Sequence, residues 1–222
     1  MVGVFYKQIM NPIEYSTFTL NGTQVTANNV DVRYGPNNPG ADAKNFGFEL
    51  VFSKFFGKFG FSGNYSYTHS SVTTLKEILG NQNGSPVVTF VNQTRPLQGQ
   101  ADHIGNLSIL YKDPRSRIDA QIALVYTGKR IALISPFLDL DVWQRASTQL
   151  DLSITKRFNS HFSVFLKATN LLNNKSYQDI LHSNNLLSYP GGLPGQTNAK
   201  KILVQQDTFG QTILVGLRYR LR

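Results

Sequence analysis

The sequence predicts an all-β chain: an antiparallel, up-and-down portion of a transmembrane β-barrel, with about eight strands, short periplasmic turns and long extracellular loops. Three observations carry this. Segment after segment alternates apolar and polar residues with a period of two, short and long connections between those segments alternate strictly, and no run approaches the roughly 18 apolar residues of a membrane helix. The composition agrees: 16% charged residues, 41% apolar, with 10 Tyr and 15 Phe against one Trp. A barrel strand needs only about 9 to 11 alternating residues, so such a chain carries no continuous apolar mark.

Taken in order, residues 2–14 read as an edge-like strand, with Val4 and Tyr6 on one parity and a kink at Asn11-Pro12. Residues 45–56 place Phe46, Phe48, Leu50 and Phe52 on one face, and residues 59–69 do the same with Phe59, Phe61, Tyr65 and Tyr67. Leu107, Ile109 and Tyr111 mark residues 104–112. Ile118, Ala120, Ile122, Leu124 and Tyr126 mark residues 117–128. The clearest pair is 147–158 and 162–169, where Leu150, Leu152 and Ile154, then Phe162, Val164, Leu166 and Ala168, hold the apolar parity. The last segment alternates Ile213, Val215, Leu217 and Tyr219 with Gly216, Arg218 and Arg220.

Gly57-Lys58, residues 113–116 and Asn159-Ser160 are short turns, whereas residues 16–43, 70–96, 129–145 and 171–207 are long connections. Loops beyond about 12 to 15 residues are uncommon in compact domains, so four of them in alternation demand a reason. Outer-membrane barrels supply one. Aromatic residues fall near strand ends, where interfacial girdles sit.

Little chemistry is legible. Cysteine is absent, which excludes thiolate sites and disulfides. His69, His103, His161 and His182 show no metal-ligand spacing, and Asp139 and Asp141 read as solvated loop acids. No Gly-rich phosphate loop is present, so neither a metal nor a cofactor is expected. The net charge of +9 is scattered without a basic run. Arg218 and Arg220 stand on the parity opposite Tyr219, which leaves no stacking platform, so nucleic acid is not an expected partner.

Three segments are more specific: Asn45-Phe46-Gly47-Phe48-Glu49-Leu50, Arg95-Pro96-Leu97-Gln98-Gly99-Gln100-Ala101, and Ala168-Thr169-Asn170-Leu171-Leu172-Asn173 followed by Tyr177. With them the chain resembles TonB-dependent outer-membrane receptors of the Bacteroidetes type. The resemblance implies a barrel of about 22 strands, of which residues 1–222 would be the C-terminal part, without the plug domain and the N-terminal strands. It implies energised uptake of a scarce solute such as a ferric siderophore, no catalysis, and residence in the outer membrane. The implied partners are outer-membrane lipid and lipopolysaccharide, the rest of the barrel and plug, the TonB complex through that plug, and a small-molecule ligand. Arg95, Lys129, Arg130, Lys200 and Lys201, with Lys175, are the candidate ligand-binding residues, since cations at a mouth concentrate anionic solutes. The same cations also suit lipopolysaccharide phosphates or plain solvation. Two other readings stay open: a self-standing small outer-membrane barrel with a structural or porin-like role, and a soluble carbohydrate-binding β-sandwich.

Overall fold

A computed structural model of the chain describes residues 1–19, 32–37, 40–82, 85–181 and 201–221. In chain order its strands are β1 (Val2–Ile9), β2 (Glu14–Thr19), β3 (Val32–Asn37), β4 (Ala43–Phe56), β5 (Phe59–Gln82), β6 (Ser85–Arg95), β7 (His103–Asp113), β8 (Ile118–Thr127), β9 (Arg130–Leu133), β10 (Val142–Gln144), β11 (Ser147–Arg157), β12 (Phe162–Thr169), β13 (Ser176–Leu181), β14 (Lys201–Asp207) and β15 (Thr212–Tyr219).

The eight predicted strands form one antiparallel sheet in the order β1-β4-β5-β7-β8-β11-β12-β15, and β6 adds to the upper half of β5. The sheet is open among the described residues: β1 pairs only with β4, and β15 only with β12. Residues directly opposite in register share a face. One row runs Phe61, Ile109, Ile122, Leu152, Ala168, Ile213, and a second runs Phe52, Gly63, Leu107, Leu124, Leu150. The next row on the opposite face runs Ser53, Ser62, Ser108, Ala123, Asp151. There Asn106 Nδ2 donates to Asn64 Oδ1 at 2.7 Å and Gln121 Nε2 to Ser108 Oγ at 3.1 Å. Seven pairings therefore keep one apolar face and one polar face in step. Leu107, Ile109, Ile122, Leu124, Ile213, Val215 and Leu217 stand exposed on the apolar side.

Aromatic rings border that apolar band at both ends. At the short-turn end Phe59 meets Tyr111 at 5.2 Å between centroids, and Phe158 meets Phe162 at 5.7 Å. At the other end Phe48 packs on Tyr65 and Tyr67, and the His103 ring shares a 2.7 Å hydrogen bond with the Tyr65 hydroxyl. His103 to Tyr111 spans about 27 Å of strand at roughly 3.4 Å per residue, the scale of the ~25 Å apolar band of a membrane barrel.

Glycines sit opposite aromatics in the ladder: Gly47 against Phe5, Gly63 against Phe52, Gly60 against Phe55, and Gly216 against Phe165. The rings lie across the space where each glycine lacks a side chain. A Cβ at Gly60 would lie 2.6 Å from the Phe55 ring, and one at Gly216 2.3 Å from Phe165.

The turns confirm the expected short connections. Gly57 takes φ +60° at the first of two loop positions, where a II′ hairpin needs glycine. Asp113 holds the next turn, accepting from Lys58 Nζ and Ser116 Oγ at 2.8 Å each and from the Arg115 amide at 3.1 Å; these donors hold its carboxyl well below the usual carboxylate range. Asn159 Oδ1 caps the third turn by accepting the amides of His161 and Phe162, both at 2.8 Å.

Two expectations need correction. The strand expected over residues 2–14 ends at Ile9, because Asn11 adopts φ +50° and Pro12 interrupts the ladder, and Glu14 opens β2. The four long connections are not plain loops either: β2–β3, the upper half of β5 with β6, β9–β10 and β13–β14 are antiparallel pairs built within them, and β14-β13-β10-β9 forms a separate four-stranded sheet. In β5 the burial pattern changes partway. Below residue 69 the apolar parity is odd, with Phe59 and Phe61 exposed and Tyr65 and Tyr67 half-buried, whereas Ser70, Val72, Thr74 and Lys76 are buried on the even, polar-face parity. A buried row containing Ser, Thr and Lys does not look like a strand core, and this hides the continuation of β5 beyond His69.

A graded test of the glycine–aromatic pairs follows. A Cβ at Gly47 would meet the backbone oxygen of Tyr67 at 1.9 Å, which the ladder holds fixed, whereas at Gly216 it meets only a ring that can swing. Gly47→Ala should lower stability by about 1–3 kcal/mol and Gly216→Ala by less, measured by urea unfolding in detergent micelles. Equal, negligible losses would remove the packing argument.

Candidate functional site

The long-connection rim is organised around buried charges. Arg95 Nη2 and Nη1 donate to the two carboxylate oxygens of Glu14 at 2.7 and 3.2 Å, and the Gln98 amide donates to Glu14 Oε1 at 3.0 Å. Lys76 Nζ donates to Asp141 Oδ1 at 2.9 Å and also to the Ser135 carbonyl, while the Ser135 amide donates to Asp141 at 2.7 Å. All four charged side chains are at most 7% exposed. Burial pushes the Lys76 ammonium below its ordinary range, and Asp141 pulls in the opposite direction.

The Lys76–Asp141 pair fastens the segment 134–141 to the inward parity of β5, and the Arg95–Glu14 pair fastens the end of β6 to the start of β2. Glu77 donates its amide to the Pro136 carbonyl at 2.8 Å and accepts the Leu138 amide at 3.0 Å. Ala43, Val72, Ala101, Ile131, Ile134 and Val142 are buried alongside. The segment beginning at Arg95 stitches several strands here. Leu97 donates its amide to Ser70 Oγ, Gln98 Nε2 reaches the Ala132 carbonyl, and Gly99, at φ +76°, donates to the Ile131 carbonyl.

The segment Ala168 to Asn173 forms a second corner. Asn170 turns the chain at φ +54°; its amide donates to Asp151 Oδ1 at 3.0 Å, its Nδ2 donates to the Gly210 carbonyl at 2.8 Å, and its Oδ1 accepts the Asn174 amide at 2.9 Å. One asparagine thereby joins β11, β12 and the approach to β15.

Two neighbouring cavities lie beside these corners and share Gln144 in their linings. The larger, about 600 Å³, is lined by His103 and Tyr126 from the apolar parity and by Lys129, Trp143, Arg145, Asp179 and Lys201. The smaller, about 350 Å³, is lined by Gln149, Thr169 and Thr212 from the polar parity and by Arg130, Asn170, Asn174, Lys175 and Ser176. Arg130 Nη1 is itself buried, without a hydrogen-bond partner among the described residues.

The candidate cations therefore separate. Lys129 and Lys201 share the outward cavity, and Arg130 and Lys175 share the inward one. Lys200 lies outside the described residues. Arg95 does not face the medium as expected: it is 6% exposed and neutralised by Glu14, because the β5–β6 pair folds its inner face against the rim. Asp141, expected to be solvated, is buried on Lys76. Sequence reasoning misses Trp143, Arg145 and Asp179, although the lone tryptophan two residues from an arginine in an otherwise polar stretch is a usable signal. Among the described residues no cluster of three or more His, Asp or Glu could hold a metal.

Removing one partner of a buried ion pair strands the other charge, at a cost of about 3–5 kcal/mol. Lys76→Met alone should destabilise the chain on that scale in micelle unfolding, and Lys76→Met with Asp141→Asn should restore most of the loss. A single variant costing under about 1 kcal/mol would show that water already reaches the pair.

A family model described as TonB dependent receptor-like, beta-barrel, matches residues 1–171. No curated protein and no solved structure matches the chain. The match covers the first seven strands of the eight-strand path and reaches the Asn170 corner. The chain, with its in-register two-faced sheet, belongs to the TonB-dependent receptor-like β-barrel family.

Proposed function

We propose that this chain is a wall segment of an outer-membrane receptor for energised uptake of a scarce, anionic small molecule, a ferric siderophore being the leading class. The family supports receptor-type transport. The observation that carries the finer reading is the inward cavity, where Arg130 and Lys175 line the wall among Asn and Thr side chains of the polar face. An anion there would meet charge-assisted hydrogen bonds from both cations.

The two open edges support a larger barrel. Unpaired backbone groups cannot face hydrocarbon, so β1 and β15 each require a neighbouring strand. The remaining strands and a plug would provide neighbours and fill the lumen, and a TonB complex would act through that plug. The polar row around Asn64, Asn106 and Asp151 would face that plug or hydrate the channel. A self-standing barrel would instead need β1 and β15 to pair with each other.

The test is uptake of labelled ferric chelates by cells lacking the gene, complemented with the wild-type gene or with Arg130→Gln. We expect deletion to abolish accumulation of at least one chelate, and Arg130→Gln to raise its half-saturation concentration about tenfold or more. Unchanged uptake of every chelate after deletion would overturn the siderophore reading, and an unaltered half-saturation would remove Arg130 from it.

A further inference from the structure

A further cavity, about 270 Å³, opens on the polar face near the short-turn end of the wall. Two neighbouring rows of the ladder build it. Lys112, Asp119 and Thr155 stand level in the first, and Gln121, Ser153 and Lys167 in the second. Phe55 closes one side, its ring laid across Gly60, where a Cβ would lie 2.6 Å from it. The lining thus sets an ammonium, an amide and two hydroxyls beside an aromatic ring, a donor-rich wall suited to an oxyanion carried on an organic body.

Charge favours the same kind of ligand. Asp119, the acid of the lining, is already paired, with Arg157 Nη1 2.9 Å from its Oδ2. Lys112 and Lys167 are exposed and pair with no carboxylate among the described residues. Arg218, level with Arg157 through Ser163, adds another cation on this face. Cations therefore outweigh the acid at this depth and leave a positive field on the side away from hydrocarbon. The cavity holding Arg130 and Lys175 takes part of its lining from the same face. Gln149 lines that one and Thr155 the lower one, so six residues of β11 separate them by about 20 Å. Between them Asp151 is occupied, accepting the Asn170 amide at 3.0 Å and the Gln149 side-chain amide at 2.9 Å.

We propose that this lower cavity is a second station for the transported anion. Lys112 and Lys167 receive its carboxylate or similar oxyanion after it leaves the mouth, and the Phe55 ring supports its organic body. The proposal rests on the uptake reading above, with the polar face as the lumen.

Two readouts test it separately, both in the native gene. With Ser153→Cys, membranes from the expressing cells are treated with an anionic or a cationic methanethiosulfonate, and parent membranes give the background. Relative to free cysteine, the anionic reagent should be favoured about tenfold or more at this position, and Lys112→Gln should shrink that preference about threefold. A ratio equal to that of free cysteine would overturn the anion site, whichever solute the receptor carries. In cells, Lys112→Gln with Lys167→Gln should lower the maximal rate of gene-dependent ferric chelate uptake about fivefold or more per receptor, and Lys112→Arg with Lys167→Arg should keep it. The half-saturation of binding to de-energised cells should not change. An unchanged maximal rate would overturn the station, and so would weakened binding to de-energised cells, which would place the lysines' effect at the mouth. Raised susceptibility of the glutamine variant to a bulky antibiotic such as vancomycin would overturn it too, since the lysines would then be holding the plug. Chelate uptake that does not depend on the gene would instead strike the uptake reading, and the thiol ratio would still decide the anion site.

Discussion

Every feature of this chain depends on one constraint: a strand with one face against hydrocarbon must keep both its backbone ladder and its side-chain parity intact across each neighbour. A slip of one residue between any two strands would put Asp151, Gln121 or Asn64 into the apolar face and bury leucines among waters. The sheet meets this through seven successive antiparallel pairings whose facing residues share the same character. Three turns fixed by Gly57, Asp113 and Asn159 help to set the register.

Because the bilayer enforces that pattern, the sheet is the most legible part of the sequence. The alternation of Leu150, Leu152 and Ile154 with polar residues is enough to announce a strand and its outward parity. The rim is much less legible, for a physical reason. Beyond the aromatic border, water satisfies one side and protein the other, so burial moves to the opposite parity of β5 and is met by Ser70, Thr74 and Lys76. Charges that pair across long separations, such as Glu14 with Arg95, look solvated in sequence because nothing local marks the partner. Lys129, Arg130, Lys175 and Lys201, chosen as candidates by charge alone, line the two cavities. Charge does not separate inward from outward, since that depends on strands hidden within the long connections.

The family segments make sense in these terms. Gly47 has no room for a side chain beneath Phe5 and the Tyr67 carbonyl. The run from Arg95 to Ala101 ties the tops of β5, β7 and β9. Asn170 ties the tops of β11, β12 and β15. These are architectural positions.

The most direct test exploits the absence of cysteine. Single cysteines are placed at positions 121 through 125 of β8 in the native gene, and membranes prepared from the cells that express it are exposed to a membrane-impermeant maleimide. Gln121, Ala123 and Val125 positions should label from water, while Ile122 and Leu124 positions should resist labelling and carry fluorophores quenched by spin-labelled lipid. Uniform labelling along the strand would contradict the two-faced wall and the function built upon it.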